Sequence, residues 1–280
     1  MSKKEELPFF YIMLPTFNRA ELVLRSVQSI IDQSYLNYKM VIFNDGSTQD
    51  YTKLESLIEG NDRIQYIKSH NIGINKSRNL MLDSFILNSN RDNDYFFTLS
   101  DDDYMANCQS LQIMANEIMK IDTIWYCFNC ESNSQEIFKN SHYLQYEKLK
   151  YSNFIKYYQG DKHFVFKLTA FHKIRYPEKH FKNGFEHLFY HKIPTEIQTI
   201  PAVVKIIQYY EDGLSLNRIE KQYGELERLI KEVRSAPLQY IFYKKLFVYI
   251  LKPKNILKEI ISEEKYYQMK NKLGFRQKTK

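Results

Sequence analysis

Three consecutive aspartates, Asp101, Asp102 and Asp103, follow the largely apolar run FFTLS at 96–100. Carboxylates held this close repel one another where water is scarce, so the cluster is either fully solvated or neutralised by a cation. For an isolated DDD, a polar turn after a strand is the simpler account. A second acidic loop, NDGS at 44–47, closes the apolar run KMVIF at 39–43. A carboxylate at a strand end can accept hydrogen bonds from a base or from ribose hydroxyls. Paired carboxylates can hold Mg²⁺ or Mn²⁺ through oxygen against a diphosphate. Together the two loops describe a nucleotide-sugar site.

The elements that would carry these loops alternate. FFYIMLP (9–15) reads as a strand, and Leu22, Val23, Val27, Ile30 and Ile31 have the spacing of a helix with one buried face. KMVIF (39–43), closed by NDGS, is a strand, as is RIQYIKS (63–69); NKSRNLMLDSFIL (75–87) is a helix, and DYFFTLS (94–100) a strand ending at the aspartates. Such alternation predicts an α/β fold with a mainly parallel sheet, whose ligands sit at the C-terminal strand edge. The loops expected at that edge are PTFNRA, NDGSTQD and SDDDY. No GxGxxG or GxxxxGK[ST] loop is present, so neither a dinucleotide site nor a P-loop is supported.

At 280 residues, 44% hydrophobic and 26% charged, the chain can bury a sizeable core and is not of disordered composition. No signal-peptide pattern opens it, and its longest apolar runs are too short to span a bilayer, so a cytoplasmic location is expected. Cys127 and Cys130 form a CxxC without a second pair, which favours two strand cysteines over a zinc or redox site. Residues 241–280 hold eleven Lys or Arg against three Glu, more positive charge than the whole chain's net +7. The lysines there alternate with Tyr, Phe, Leu and Ile. That pattern suits a helix lying on an anionic membrane surface through residues 238–280, and equally one packed on its own domain. Nucleic acid is not expected as a partner, since no binding motif accompanies the charge. A boundary near 220 divides a domain at 1–220 from a basic amphipathic helical extension at 221–280, which could also pair two subunits.

In combination, LPTFNRAELVLRSVQSIIDQSYLNYKMVIFNDGST, NIGINKSRN and LSDDD resemble the family 2 glycosyltransferases of the GT-A, Rossmann-like fold, over residues 9–105. The resemblance implies that Thr16, with Pro15, Asn18 and Arg19 around it, forms part of the nucleoside pocket. It implies that Asp45, followed by Gly46, hydrogen-bonds the base, and that Arg78 contacts the nucleotide. Asp101 and Asp102 would face the ribose and donor sugar. Asp103 would be the direct ligand of Mn²⁺ or Mg²⁺, forming a DxD with Asp101. Asn44 stands where many members have Asp.

Transfer with inversion needs a general base for the acceptor hydroxyl and a cation for the leaving diphosphate. The resemblance places that base at the start of a later helix. Glu186 in GFEHLFYHKI fits, with Leu188, Phe189 and Ile193 as the helix's apolar face. Asp161, in the GDK at 160–162, is the second choice and His187 the third. The family usually has an Asp from an ED pair here, whereas this chain has Glu followed by His. His187 and His191, at i and i+4, lack the further ligand spacing of a zinc site. Asp212, Ser215 and Arg218 would lie in a loop over the diphosphate. The QxxRW signature of processive synthases is absent, so one sugar is expected to be added per encounter. The implied donor is a nucleotide-sugar, a UDP-sugar first, and the implied acceptor a bacterial surface glycan (capsule, teichoic-acid or lipopolysaccharide type) or lipid-linked glycan. The enzyme would then be peripheral at the inner face of the cytoplasmic membrane. Two alternatives stay open: an inactive membrane-associated scaffold with the same fold, and a sugar nucleotidyltransferase, which would want a Gly-rich basic loop where this chain has LPTFNRAEL.

Overall fold

The computed structural model describes residues 7–89, 91–132, 141–158, 160–178, 186–210, 225–235, 237, 240–253, 255–256 and 265. The strands are β1 (Phe9–Thr16), β2 (Tyr38–Asp45), β3 (Ile64–Ser69), β4 (Asp94–Thr98), β5 (Tyr104–Met105), β6 (Trp125–Ser132), β7 (Glu147–Leu149), β8 (His163–Lys167) and β9 (Ile197–Ile207). The helices are α1 (Leu22–Ile31), α2 (Thr52–Ile58), α3 (Ile74–Asn88), α4 (Ser110–Lys120), α5 (Tyr151–Tyr157), α6 (Glu186–Tyr190), α7 (Glu225–Ser235) and α8 (Tyr240–Ile250). A 3₁₀ turn at Leu168–Phe171 follows β8.

All strands join one sheet in the order β3-β2-β1-β4-β8-β6-β9-β5, with β7 also paired to β9. β1 pairs in parallel with β2 and β4, β2 with β3, and β6 with β9. β8 runs antiparallel between β4 and β6, so β6 and β9 point the same way as the first four strands. The C-terminal ends of β1, β2, β4, β6 and β9 and the start of β8 therefore share one edge.

Period-two alternation feeds both faces of this sheet. Phe10, Ile12 and Leu14 of β1 join Val23, Val27 and Ile30 of α1 and Leu111 and Met114 of α4 in one core. Tyr11 and Met13 join Met81, Leu82 and Phe85 of α3 in the other. Burying each such side chain contributes about 1.5–3 kcal/mol, which is why strands covered on both faces read as continuous apolar runs.

The second core is largely aromatic. The Tyr176 and Phe189 rings stack at 4.0 Å, and Phe189 also packs on Phe166 and Phe171. Leu188 and Phe189 of α6 are buried, and so is Ile193, which lies three residues past the helix's end rather than on its face as expected. Cys127 and Cys130 are buried free thiols on β6, and the Tyr143 hydroxyl donates to Cys127 Sγ at 3.2 Å. The expected boundary near 220 and the loop with Asp212, Ser215 and Arg218 lie outside the described residues. Beyond them α7 contacts α6, and α8 packs on α7. Among the described residues no helix is long and apolar enough to cross a membrane.

Candidate active site

Three loops converge at the shared edge. After β1 the chain turns through Asn18, whose φ of 52° lies in the left-handed region that Asn tolerates. Its side chain accepts the Thr48 N–H at 2.8 Å, while its own N–H donates to Ser47 Oγ at 2.9 Å. The Tyr51 hydroxyl lies 2.9 Å from Thr16 Oγ1, accepts the Arg19 N–H at 3.1 Å and meets Ser47 Oγ at 3.2 Å. Thr16, Asn18 and Arg19 are thus tied to the loop after β2 through one phenol and one amide, and Pro15 stands opposite Phe43 in the sheet.

Asp45 ends β2 and is buried. Its two carboxylate oxygens accept the N–H groups of Ile72 and Gly73 at 2.7 and 2.9 Å, just ahead of α3. An anion here complements the positive end of a helix, and each oxygen keeps a second lone pair for a ligand. Gly46 has a φ of +77°, and a Cβ there would lie 2.4 Å from the Asn71 nitrogen, so the two loops touch backbone to backbone. Asn44 caps the same turn, accepting the Ser47 N–H at 2.9 Å and donating to the Tyr66 hydroxyl at 2.8 Å. An Asp in its place could not make that second donation.

The aspartates follow β4 in a tight turn, closed by the Asp103 N–H on the Ser100 carbonyl at 3.2 Å. The turn sends the three carboxylates to different surroundings. Asp101 is hydrogen-bonded by Thr16 and by the Phe17 N–H, but burial dominates and lifts its carboxyl to about 6. Burial, followed by repulsion from Asp103 and Asp101, pushes Asp102 to about 7. Asp103 points back under the loop: Lys205 Nζ lies 2.7 Å from Oδ2, and the Gln208 N–H donates to Oδ1 at 3.3 Å. Burial raises Asp103 as well, opposed chiefly by Lys205, and the pair is 7% exposed on both sides.

Asp103, the expected direct metal ligand, thus has each oxygen engaged once by the protein, Oδ2 by Lys205 and Oδ1 by the Gln208 N–H, with a further lone pair on each. Asp102 makes no ion pair among the described residues, and with Asp101 it offers hard oxygen donors in a setting that disfavours uncompensated charge. Two such carboxylates fit Mg²⁺ or Mn²⁺ whose remaining positions are filled by phosphate oxygens and water. Among the described residues no three His, Cys, Asp or Glu side chains converge as a ready-made cage. A cation here would need further oxygen ligands from a bound molecule or water.

Arg78 and Glu186, separated by 108 residues, form an ion pair at 2.8 Å. The guanidinium also lies over the Tyr176 ring at 5.3 Å, and Tyr176 is hydrogen-bonded to Thr98 at the end of β4. This chain of contacts brings Glu186 to the same edge as the aspartates. Burial alone would raise the Glu186 carboxyl; Arg78, the backbone N–H and His187 outweigh it and leave it lowered. Asp161, at the start of β8, accepts from the Tyr209 hydroxyl at 2.7 Å. His187 Nδ1 makes a short hydrogen bond to the Tyr151 hydroxyl, and His191 packs edge-on against the same ring. The two histidines share the Tyr151 side chain as a neighbour.

Residues that sequence reasoning missed hold the aspartate loop from outside. Arg25 of α1 donates to the Asp102 carbonyl at 3.2 Å and to Gln208 Oε1 at 2.6 Å, and lies 4.2 Å over the Tyr104 ring. Ser26 donates to the Asp103 carbonyl. Arg25 and Ser26 stand in an ordinary amphipathic helix, where periodicity marks a buried face and not its partner.

Comparison with known proteins bears on the family and the fold. The chain is 31% identical over 129 residues to an uncharacterised glycosyltransferase of Rickettsia typhi, a match covering 45% of this chain and 38% of that one. Matches to the curated relatives span between 10% and 38% of their lengths. Staphylococcus aureus TarS 1–349, solved with UDP-GlcNAc, superposes with a TM-score of 0.67 at 16% identity, over 95% of this chain and 80% of that one. A mannosyltransferase of Pyrobaculum calidifontis, solved with GDP-Man and Mn²⁺, gives 0.60 at 12% identity, over 98% and 82%. The expected GT-A fold is the fold observed. Residues 11–178 match the sequence profile of Glycosyl transferase family 2, and the chain belongs to that family.

Proposed function

We propose that this protein transfers one sugar, with inversion, from a nucleotide-sugar to a hydroxyl of a bacterial surface glycan or lipid-linked acceptor. The observation that carries the reading is the convergence of Asp101 and Asp102, raised by burial and only partly offset by Arg19, at the edge that also holds Thr16, Asp45 and Arg78. TarS solved with UDP-GlcNAc and the mannosyltransferase solved with GDP-Man and Mn²⁺ support a nucleotide-sugar and a cation as ligands of this fold. A UDP-sugar is the first donor to test.

In this reading the Thr16–Arg19 loop and Asp45 bind the nucleoside, and Asp101 accepts from the ribose. Asp102, with Asp101, holds Mn²⁺ or Mg²⁺, which when bound supplies positive charge beside the leaving diphosphate. Arg78 orients Glu186 and keeps it ionised, the state a proton acceptor needs. As the acceptor oxygen bonds to the anomeric carbon, its proton passes to Glu186 and the carbon–oxygen bond to the diphosphate breaks. The nucleoside diphosphate leaves with that electron pair. A position at the inner face of the cytoplasmic membrane belongs to the same reading.

Calorimetric titration of UDP with and without Mn²⁺ tests the site. Metal-dependent binding is expected in the wild type, lost in Asp102→Ala, and kept in Glu186→Gln while turnover falls by about 10²–10⁴-fold. If UDP, GDP, CDP and dTDP all fail to bind with the cation present, the reading is wrong.

A further inference from the structure

α8 presents three faces to three surroundings. Phe242 and Tyr249 are buried, and the helix packs against α7. Tyr243, Leu246, Phe247, Ile250 and Leu251 recur at i, i+3, i+4, i+7 and i+8, the spacing of a single helical stripe. Of these, Phe247 and Leu251 are 64% and 62% exposed, and Tyr243 and Ile250 are exposed as well. Lys244, Lys245 and Lys252 stand exposed beside the stripe, and residues 240–252 contain no Asp or Glu.

Scattered exposed apolar residues are ordinary, but a continuous stripe bordered by one sign of charge marks an interaction surface. We propose that α8 and the residues up to Lys252 dock on an anionic membrane, with the stripe in the headgroup boundary and the three lysines on lipid phosphates. Charge selects this occupant. A two-fold contact with a second copy would bring the same patch against itself, setting lysines against lysines with no acid on the helix to pair them. The docking surface rests on the proposed function only in its purpose, which is to bring the sugar-transfer site to lipid-linked acceptors.

Vesicle flotation of the full chain, without any sugar nucleotide, tests it separately from catalysis. The chain should float with phosphatidylcholine vesicles containing about a third phosphatidylglycerol, and at least about tenfold less with phosphatidylcholine alone. Each single Lys→Ala change at 244, 245 or 252 should weaken binding about fivefold. Phe247→Glu with Leu251→Glu should abolish it while leaving UDP affinity and melting temperature unchanged. Binding that survives the double change, binding indifferent to lipid charge, or a concentration-dependent dimer abolished by the same change would each overturn the proposal.

Discussion

A carboxylate and an ammonium withdrawn from water together are costly to separate, because removing one leaves the other buried and uncompensated. Asp103 and Lys205 are such a pair. Lys205→Ala should lower stability by about 3–5 kcal/mol, whereas Asp103→Leu with Lys205→Met should recover most of the loss, read by urea unfolding. A double variant as unstable as the single one would show that the pair does more than neutralise itself. Asp101 and Asp102 obey the opposite logic. Without a bound cation the folded chain keeps their protons up to about 6 and about 7, while an unfolded Asp releases its proton near 4. The native state therefore holds more protons between those values, and this contribution to stability falls as pH rises through that window. A cation needs the deprotonated carboxylates, so the thermal shift from Mn²⁺ plus UDP should grow from about pH 5.5 to about pH 8 and lose that growth in Asp102→Asn. A shift in the wild type that ignores pH over this range would contradict the placement of the cation.

Between elements, the contact of the β2 loop with the residues before α3 decides how closely the nucleoside loops assemble. Gly46→Ala must accommodate both a positive φ and a Cβ at 2.4 Å from backbone, so it should cost more than about 2 kcal/mol and weaken UDP binding. Gly60→Ala is the control, since its φ is +72° but nothing lies within 4 Å of the added carbon. It should cost about 1 kcal/mol and leave binding intact. If the two variants behave alike in denaturation and titration, the close approach carries no weight. The same contact shows what the chain discloses locally. NDGS, NIG and DDD announced the loops because turn chemistry and short apolar runs are properties of neighbours. The strands leading into those loops were legible for the same reason, read as ending at Pro15, Phe43 and Ser100 where the structure has Thr16, Asp45 and Thr98. Tyr51 as the knot of two loops was not, nor was Lys205 beneath the aspartates. One is a phenol beside a short helix and the other a lysine on an apolar strand, and each acts on a partner set by topology. Lys205 was hidden as the partner of Asp103 because spacing cannot tell which carboxylate of three turns back into the protein.

At the scale of the molecule, one sheet edge collects residues from both halves of the chain. Thr16, Asp45, Arg78 and the aspartates come from the first half, and Asp161, Glu186, Lys205 and Gln208 from the second. β8 is inserted antiparallel between β4 and β6, so its start arrives at that edge while the strands around it end there. α7 and α8 follow the last strand and contact the body through α6. The fold thus offers a site at one edge and, on α8, a surface of different chemistry.

The 102 residues between Asp103 and Lys205 also measure time on the ribosome. At roughly 5–20 residues per second, the first four strands and the aspartate loop precede Lys205 by roughly 5–20 s. Throughout that interval the nascent chain carries a carboxylate with no counter-charge, and until His163–Lys167 are made it also carries a β4 edge with no β8 to cover it. A slow stretch of translation just before β8 would lengthen this exposure, and one after β9 would not.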